Sequence, residues 1–283
     1  MKIPFKIDLS GKVVVVTGGA GVLCSYFAKA IAACDAKVAI LDLDKNKADA
    51  VAKEIVEEGY EALGFKCNVL EKSSIEEAHE AVLDKYGKCD ILINGAGGNN
   101  PKATTDAEFF DRDTFRSDNK KSFFDLDLDG FNFVFGLNFT GTLLPTQVFG
   151  IDMIDKPGSV ILNISSMNAF TPLTKIPAYS AAKAAVSNFT KWLAVHFAKS
   201  NIRVNAMAPG FFSTQQNAAL LWNPDKTPTP RTAKILNNTP MGRFGEPEEL
   251  LGTLLWLLDN NSSGFVTGVV IPVDGGFSAY SGV

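Results

Sequence analysis

The chain has 283 residues, of which 46% are hydrophobic and 20% are charged, and its formal net charge is −4. This balance excludes the overall basic field that binds nucleic acid or an anionic membrane. The chain has no apolar stretch near the roughly 20 residues that cross a bilayer, and its first residues lack the apolar core of a signal peptide, so we expect a cytoplasmic protein.

Short apolar segments rich in Val and Ile alternate with segments of helical periodicity. The predicted strands are residues 12–17, 37–41, 62–66, 90–93, 159–164, 202–206 and 269–271, and the clearest predicted helices are residues 25–33, 45–58, 73–86, 178–199 and 247–258. Strands that are apolar on both faces and are joined by helices indicate an α/β fold, with a doubly wound parallel sheet flanked by helices. Without a linker or repeat, we expect residues 1–283 to form a single domain.

Two long segments interrupt this alternation. Residues 98–136 are polar and then rich in phenylalanine, and residues 211–240 contain four prolines. Long irregular segments in a compact domain are often lids or binding loops, so we expect an active-site insertion in the first and a substrate loop in the second.

A glycine cluster follows the first predicted strand. Gly18, Gly19 and Gly21 lie where the strand turns into a helix, and glycines there let backbone N–H groups approach a phosphate. Asp42, at the end of the second strand, is suited to accept hydrogen bonds from an adenosine ribose, and its charge would repel the 2′-phosphate of NADP. The pattern favours NAD, and Asp44 could share the role of Asp42.

The sequence YSAAK at residues 179–183 follows Ser166 by thirteen residues. Tyr179 and Lys183 are four residues apart and share one helix face. A lysine ammonium beside the phenol, together with an oxidised nicotinamide, would lower the tyrosine pKa from about 10 and allow proton transfer at neutral pH.

Over nearly its whole length the chain resembles the short-chain dehydrogenase/reductase family. The motifs that carry the resemblance are TGGAGVLC at residues 17–24, NGAG at 94–97, LNFTGT containing Asn138, NISSM containing Ser166, YSAAK, and PGFFST at 209–214. The resemblance implies a Rossmann-like fold and hydride transfer with NAD. It implies that Tyr179 exchanges a proton with the substrate, Ser166 polarises the same oxygen, Lys183 holds the nicotinamide ribose, and Asn138 positions a water. The implied cofactor-binding residues are Gly18, Gly21, Leu23, Asp42, Asn68, Val69, Asn94, Ala96, Gly97, Tyr179, Lys183, Pro209, Phe212 and Thr214.

The chain departs from the family motifs in three places. Either the glycine loop is one residue shorter, or Val22 and Cys24 replace two of its glycines. Gly95 replaces the second asparagine of the family's N-N-A-G, and Asn68 stands where the family usually has an aspartate that contacts adenine. An amide can still accept a hydrogen bond from adenine, so we expect NAD binding to be retained.

Amides and ammonium groups near the expected cleft suit a sugar acid better than a steroid or lipid. The expected substrate-binding residues are Asn99, Lys102, Ser166, Asn168 and Tyr179, with Asn100, Arg231 and Arg243 as further candidates. The segments GAGGNNPKATT, FFDLD, NISSMNAF and FSAYSGV resemble bacterial members of the family described as D-mannonate oxidoreductases, or fructuronate reductases. That resemblance implies interconversion of D-fructuronate and D-mannonate, and the family resemblance implies a homotetramer with contacts at the C-terminal segment.

Two alternatives remain open at the level of the sequence. The first is a reductase of the same family that acts on a 5-keto-gluconate or a small carbonyl compound, and the second is a non-catalytic NAD-binding regulatory protein. We expect no metal site and no disulfide, because the four cysteines lack C-x-x-C spacing. The sequence DLDLDG at residues 125–130 matches the start of a calcium-binding loop, but Gly136 stands where that loop requires glutamate.

Overall fold

The computed structural model describes residues 7–113, 115–116, 120–154, 156–214 and 221–282. Its strands are β1 (Val13–Thr17), β2 (Lys37–Asp42), β3 (Glu61–Lys66), β4 (Ile91–Asn94), β5 (Ser159–Ile164), β6 (Ile202–Pro209) and β7 (Val270–Val273). Its helices are α1 (Val22–Ala32), α2 (Lys45–Glu57), α3 (Lys72–Tyr86), α4 (Leu128–Phe135), α5 (Gly141–Met153), α6 (Pro177–Phe197), α7 (Pro230–Asn237), α8 (Leu251–Leu258) and α9 (Asn260–Ser263).

The strands form one parallel sheet in the order β3-β2-β1-β4-β5-β6-β7. The chain winds outward from β1 in one direction and then, from β4 onward, in the other. The carboxyl ends of β1 and β4 therefore flank a topological switch point, which is where α/β sheets of this kind bind ligands. The predicted doubly wound, Rossmann-like fold is confirmed.

Both faces of the sheet are buried. Val14 and Val16 pack into a core with α1 and α8 on one face, while Val13 and Val15 pack into a core that includes α3 and α5 on the other. This two-sided burial is the reason that the strands are apolar at successive positions rather than at alternating ones. The long α6 completes the second layer beside β6.

The predicted strands are all present, with ends that differ by a few residues. Helix α1 begins at Val22 rather than at residue 25, because the backbone is already extended at Gly21 and turns helical immediately after it. The predicted helix 247–258 consists of a 3₁₀ turn, Pro247–Leu250, followed by α8.

The description of residues 98–136 as irregular was wrong in part. The segment contains 3₁₀ turns at Pro101–Ala103 and Phe123–Asp125, and it ends in α4. Likewise, the 211–240 segment contains α7. Residues 114 and 117–119 of the first segment and 215–220 of the second lie outside the described residues.

The aspartates of the DLDLDG sequence have local roles in this segment. Asp125 forms a capping box with Ser122, and the Asp127 side chain caps α4 by accepting a hydrogen bond of 2.6 Å from Gly130 N. These carboxylates therefore stabilise a turn and a helix start. Within the described residues, no group of three or more His, Cys, Asp or Glu side chains could hold a metal ion.

Candidate active site

The loop between β1 and α1 forms a cradle of backbone at the carboxyl edge of the sheet. Gly18 has a φ of +61°, and a Cβ placed on it would lie 2.7 Å from Ala96 Cα, so a larger residue would meet both strain and a backbone clash. Gly21 forms the N-terminal boundary of α1 without a side-chain cap, and Leu23 lies in the first turn and packs against the core. The N-terminal N–H groups of α1 are thus available to an anion.

Asp42 stands at the end of β2, against this glycine loop. One of its carboxylate oxygens accepts a hydrogen bond of 3.2 Å from Ala20 N, and the other accepts one of 3.1 Å from Asp44 N. Asp44 itself caps α2 by accepting from Asn46 N and Lys47 N. Of the two candidate carboxylates, Asp42 is therefore the one bonded to the loop.

A cleft of about 1060 Å³ opens beside the loop. Its lining includes Gly21, Asp42 and Thr214, which were predicted from the sequence, and also Ser25, Lys47, Glu246 and Glu248, which were not. Pro209 ends β6 next to this edge, and Phe212 is buried and pairs through its backbone with Gly245. The cleft, the exposed helix terminus and the Asp42 carboxylate together fit an adenine dinucleotide.

Asn68 and Val69 follow β3 at the same edge of the sheet. Asn68 Oδ1 accepts a hydrogen bond of 3.1 Å from Leu70 N, which orients the amide. Val69 is buried and would crowd a Cβ at Gly141, 2.9 Å from its Cγ2.

The loop after β4 is held by a residue that the sequence analysis did not select. Thr17 Oγ1 accepts hydrogen bonds from Gly95 N and Ala96 N, at 3.1 and 3.3 Å. A Cβ on Gly97 would lie 2.7 Å from Asn138 Oδ1 and 3.1 Å from Lys183 Nζ. Glycine at position 97 thus leaves the space into which these two polar side chains extend.

Asn94 takes a different position from the one expected of a cofactor contact. Its side chain is 1% exposed, and its Nδ2 donates to Thr146 Oγ1 and Asn163 Oδ1 at 3.0 and 2.9 Å. Asn163 in turn donates to Thr190 Oγ1 at 2.9 Å. This buried network joins β4 and β5 to the helices α5 and α6, so the Asn94 side chain faces the interior rather than the cleft.

Asn138 lies in a π-helical turn, Gly136–Thr140, between α4 and α5. Its Nδ2 donates to Gly98 O and Val134 O at 2.7 and 2.8 Å, and its Oδ1 accepts from Gly98 N at 3.2 Å. A single π turn inserted between α-helices often occurs at a functional site, because it displaces the backbone from the regular ladder. Here it brings the buried amide against the loop that follows β4.

Ser166, Tyr179 and Lys183 converge at the carboxyl end of β5. The Ser166 hydroxyl lies close enough to the Tyr179 phenol to lower its pKa, and the Lys183 ammonium nitrogen is 5.6 Å from the centre of the tyrosine ring. Lys183 is 4% exposed, and its Nζ donates to Ile164 O at 2.8 Å. The predicted set is thus assembled on adjacent elements.

The protein's own groups do not lower the pKa of Tyr179 below its ordinary value. Burial raises the pKa of Tyr179 above its usual value, and the neighbouring Ser166 hydroxyl offsets only part of that increase. Burial lowers the pKa of Lys183 to about 8, because a charged ammonium is costly away from water. The ammonium points at a carbonyl oxygen and stands over the ring, so Lys183 alone does not acidify the phenol.

The predicted substrate residues are divided between the interior and the surface. Asn168 follows Ser166 in a 3₁₀ turn, is 3% exposed, and has no hydrogen-bond partner for its Oδ1 among the described residues. Asn99 Nδ2 donates to Thr104 Oγ1 at 3.1 Å, and the Asn100 side chain caps the turn that carries the exposed Lys102.

The two arginine candidates differ from what was expected. Arg243 forms a two-point ion pair with Glu249, at 2.6 and 2.7 Å, so its guanidinium is already occupied by a carboxylate of this chain. Arg231 is exposed on α7. Arg243 is therefore not available to clamp a substrate carboxylate.

The described residues contain no helix with the length and apolar character required for a membrane span.

The model of the short chain dehydrogenase family matches residues 12–224. An uncharacterised oxidoreductase of Haemophilus influenzae is 60% identical over 283 residues, covering 100% of this chain and 99% of that protein. An uncharacterised oxidoreductase of Bacillus subtilis, UxuB, is 53% identical over 281 residues, covering 99% and 100% of the two chains.

A solved structure from Haemophilus influenzae, provisionally named a D-mannonate oxidoreductase and containing bound NAD, superimposes with a TM-score of 0.95 at 60% identity, and all of both chains is covered. The family match spans well over half of this chain, and these relatives cover essentially all of it. The chain therefore belongs to the short-chain dehydrogenase family.

Proposed function

We propose that this protein is an NAD-dependent oxidoreductase that interconverts the ketone and alcohol forms of a sugar acid, D-fructuronate and D-mannonate. The observation that carries the proposal is the convergence of Ser166, Tyr179 and Lys183 beside the glycine cradle at the switch point of the sheet. The name given to the NAD-containing relative supports the choice of substrate.

The residues around the cleft fit NAD. The free N-terminus of α1 faces the position of a pyrophosphate, and the Asp42 carboxylate stands at the end of β2 to accept the adenosine ribose hydroxyls. Bound NAD supplies the hydride acceptor in alcohol oxidation, and NADH supplies the donor in ketone reduction.

Tyr179 is the group that exchanges a proton with the substrate oxygen. Its raised pKa keeps the phenol protonated at neutral pH, so in ketone reduction it is ready to donate. Ser166 stabilises the same oxygen through its hydroxyl. Lys183, whose pKa is about 8, is mostly an ammonium at pH 7 and adds positive charge at the site where the phenolate forms.

Asn138 is held by three hydrogen bonds between its side-chain amide and the backbone of Gly98 and Val134. We infer that this rigid amide fixes the loop after β4 against Lys183. In that position it orders the path by which a proton reaches Tyr179 from solvent.

The substrate chemistry is inferred from polar groups around Ser166. The unpartnered Asn168 Oδ1 is an acceptor for a substrate hydroxyl, because a buried carbonyl oxygen without a partner gains by bonding to a ligand. Ala103, the residue after Lys102, packs in a small cluster with Ala178 and Tyr179, so we propose that the exposed Lys102 binds a substrate carboxylate. Asn99, three residues before Lys102, is proposed to contribute its amide to the same substrate.

The test is a spectrophotometric assay at 340 nm with NADH and D-fructuronate, and with NAD and D-mannonate in reverse, with 5-ketogluconate as a competing substrate. We expect turnover with the first pair, a loss of about 10²–10⁴ in kcat for Tyr179→Phe, and full activity for Tyr60→Phe, a tyrosine packed against the core near α2. Preference for 5-ketogluconate would contradict the proposed substrate pair and favour the alternative reductase of the same family. NAD binding without hydride transfer to any of these substrates would favour the regulatory alternative.

Exposed apolar side chains on α6 and near the C-terminal segment support the expected homotetramer. Trp192 and Val195 on α6 and Phe265 near the C-terminal segment are exposed apolar side chains, and such surfaces are suited to subunit contacts. We propose a homotetramer, to be measured by size-exclusion chromatography with light scattering. A monomeric mass at micromolar concentration would contradict it.

A further inference from the structure

The space under the loop that follows β4 is filled by one side chain from α1. Cys24 is 5% exposed, and a Cβ placed on Gly95 would overlap its Sγ. The same Cβ would lie 2.8 Å from Thr17 O, whereas Cys24 Cβ would be 3.7 Å away, at an ordinary contact distance. The thiol of Cys24 and any side chain at position 95 therefore compete for one volume.

The position of this loop is transmitted to the catalytic lysine. Gly95 N and Ala96 N are bonded to Thr17 Oγ1, which ties the start of the loop to β1. Two residues later, a Cβ on Gly97 would lie 3.1 Å from Lys183 Nζ. A displacement of the loop at Gly95 would therefore also change the position of Gly97 relative to the Lys183 ammonium.

The thiol of Cys24 is neutral in this position. The thiol and Lys183 are near enough to act on each other electrostatically, and burial keeps the thiol neutral by raising its pKa to about 12. The volume beside Gly95 is therefore filled by a neutral, compact group.

We propose that Cys24 is a positioning residue, whose thiol supports the loop of residues 95–97 and thereby sets the place of Lys183, and that this thiol and the Thr17 carbonyl together require glycine at position 95. The cysteine in the glycine loop and the glycine after β4 then depend on each other, because the larger side chain at position 24 occupies the space that a side chain at position 95 would need. The functional consequence rests on the proposed function, since the loop borders the proposed NAD site.

The test is a double-mutant cycle of Cys24→Ala and Gly95→Ala with NAD affinity as the readout, measured by titration calorimetry without any sugar acid. We expect Gly95→Ala to weaken NAD binding at least about threefold more when Cys24 is present than in the Cys24→Ala background, because removing Sγ relieves part of the overpacking. The contact with Thr17 O contributes to the cost of Gly95→Ala in both backgrounds and cancels only in the difference between them. Cys89→Ala removes a different buried thiol at the other end of β4, and in that background Gly95→Ala should cost as much as in the wild type.

A second readout separates positioning from simple loss of structure. In the active enzyme, Gly95→Ala should shift the pH profile of kcat by about half a unit or more, since it moves Lys183 relative to Tyr179, and adding Cys24→Ala should return the profile toward that of the wild type. If Gly95→Ala alone does not fold, the double variant should fold and bind NAD. Equal costs of Gly95→Ala in both backgrounds, or an unfolded double variant, would overturn the proposal. Failure of the sugar-acid assay alone would leave the NAD cycle as a valid test.

Discussion

Replacing Lys183 with methionine should abolish activity and increase the free energy of unfolding at pH 7, and the stability difference from the wild type should depend on pH. The pKa of Lys183 is about 8 in the folded protein against 10.5 for an ordinary lysine. At pH 7 the folded protein must bury an ammonium. Methionine avoids that cost but gives up the hydrogen bond to Ile164 O, so we expect the variant to be more stable by about 1–2 kcal/mol at pH 7 and inactive.

The sign of the pH dependence follows from the direction of the shift. Between about pH 8 and 10.5 the unfolded chain holds the proton on Lys183 while the folded chain has lost it, so the free energy of unfolding rises with pH through this window. Relative to Lys183→Met, the wild type should therefore gain about 2–3 kcal/mol between pH 7 and pH 10.

The assay is urea unfolding of both proteins at several pH values in the absence of NAD, followed by tryptophan fluorescence. The exposed Lys191 on the same helix provides the control, and Lys191→Met should show a nearly constant stability difference from the wild type over the same range. A difference between wild type and Lys183→Met that does not change with pH would refute the argument that a protonated lysine is buried in the resting protein.

Three further variants test other parts of the site. Asp42→Ala should raise the ratio of NADP to NAD kcat/KM about tenfold or more, because the carboxylate that repels a 2′-phosphate is removed; an unchanged ratio in steady-state kinetics would remove Asp42 from coenzyme selection. Gly97→Ala should lower kcat about tenfold, because its methyl group would crowd the Lys183 ammonium from 3.1 Å; circular dichroism should report an intact fold, and wild-type kcat would contradict the geometry. Glu108→Gln breaks the ion pair of 2.8 Å to Lys234 that joins the insertion to α7, and should raise the KM for the sugar acid about two- to fivefold with little change in kcat, an effect that about 0.5 M salt should reproduce in the wild type. If salt raises the KM of Glu108→Gln as much as that of the wild type, the ion pair is not the cause.

The strands and the helix carrying Tyr179 and Lys183 could be predicted because their signals are local. Apolar runs of about five residues mark a strand buried on both faces, and a spacing of four residues on a helix brings two side chains together wherever the helix packs. Helix α4 gave no such signal, because Phe133 is largely exposed and the apolar residues of the segment do not mark a single buried face.

The properties that sequence reasoning missed depend on burial and on contacts between distant segments. The pKa of Tyr179 is raised because its phenol is removed from water, which the spacing to Lys183 does not reveal. Asn94 was expected at the cofactor, yet its side chain is engaged by Thr146 and Asn163 in the interior. Arg243 is paired with Glu249, only six residues further along the chain. This nearby carboxylate is visible in the sequence and could have indicated that the guanidinium is already occupied.

The small cluster of Ala103, Val134 and Ala178, with Phe131 and Tyr179 packed against it, joins the insertion to the helix that bears the tyrosine. A segment that selects substrates is commonly regarded as exchangeable between relatives, because it is attached only at its two ends. Here the segment has its own miniature interior, one wall of which is the reactive helix. Transplanting the segment into another member of the family would therefore also have to preserve its packing against Ala178 and Tyr179.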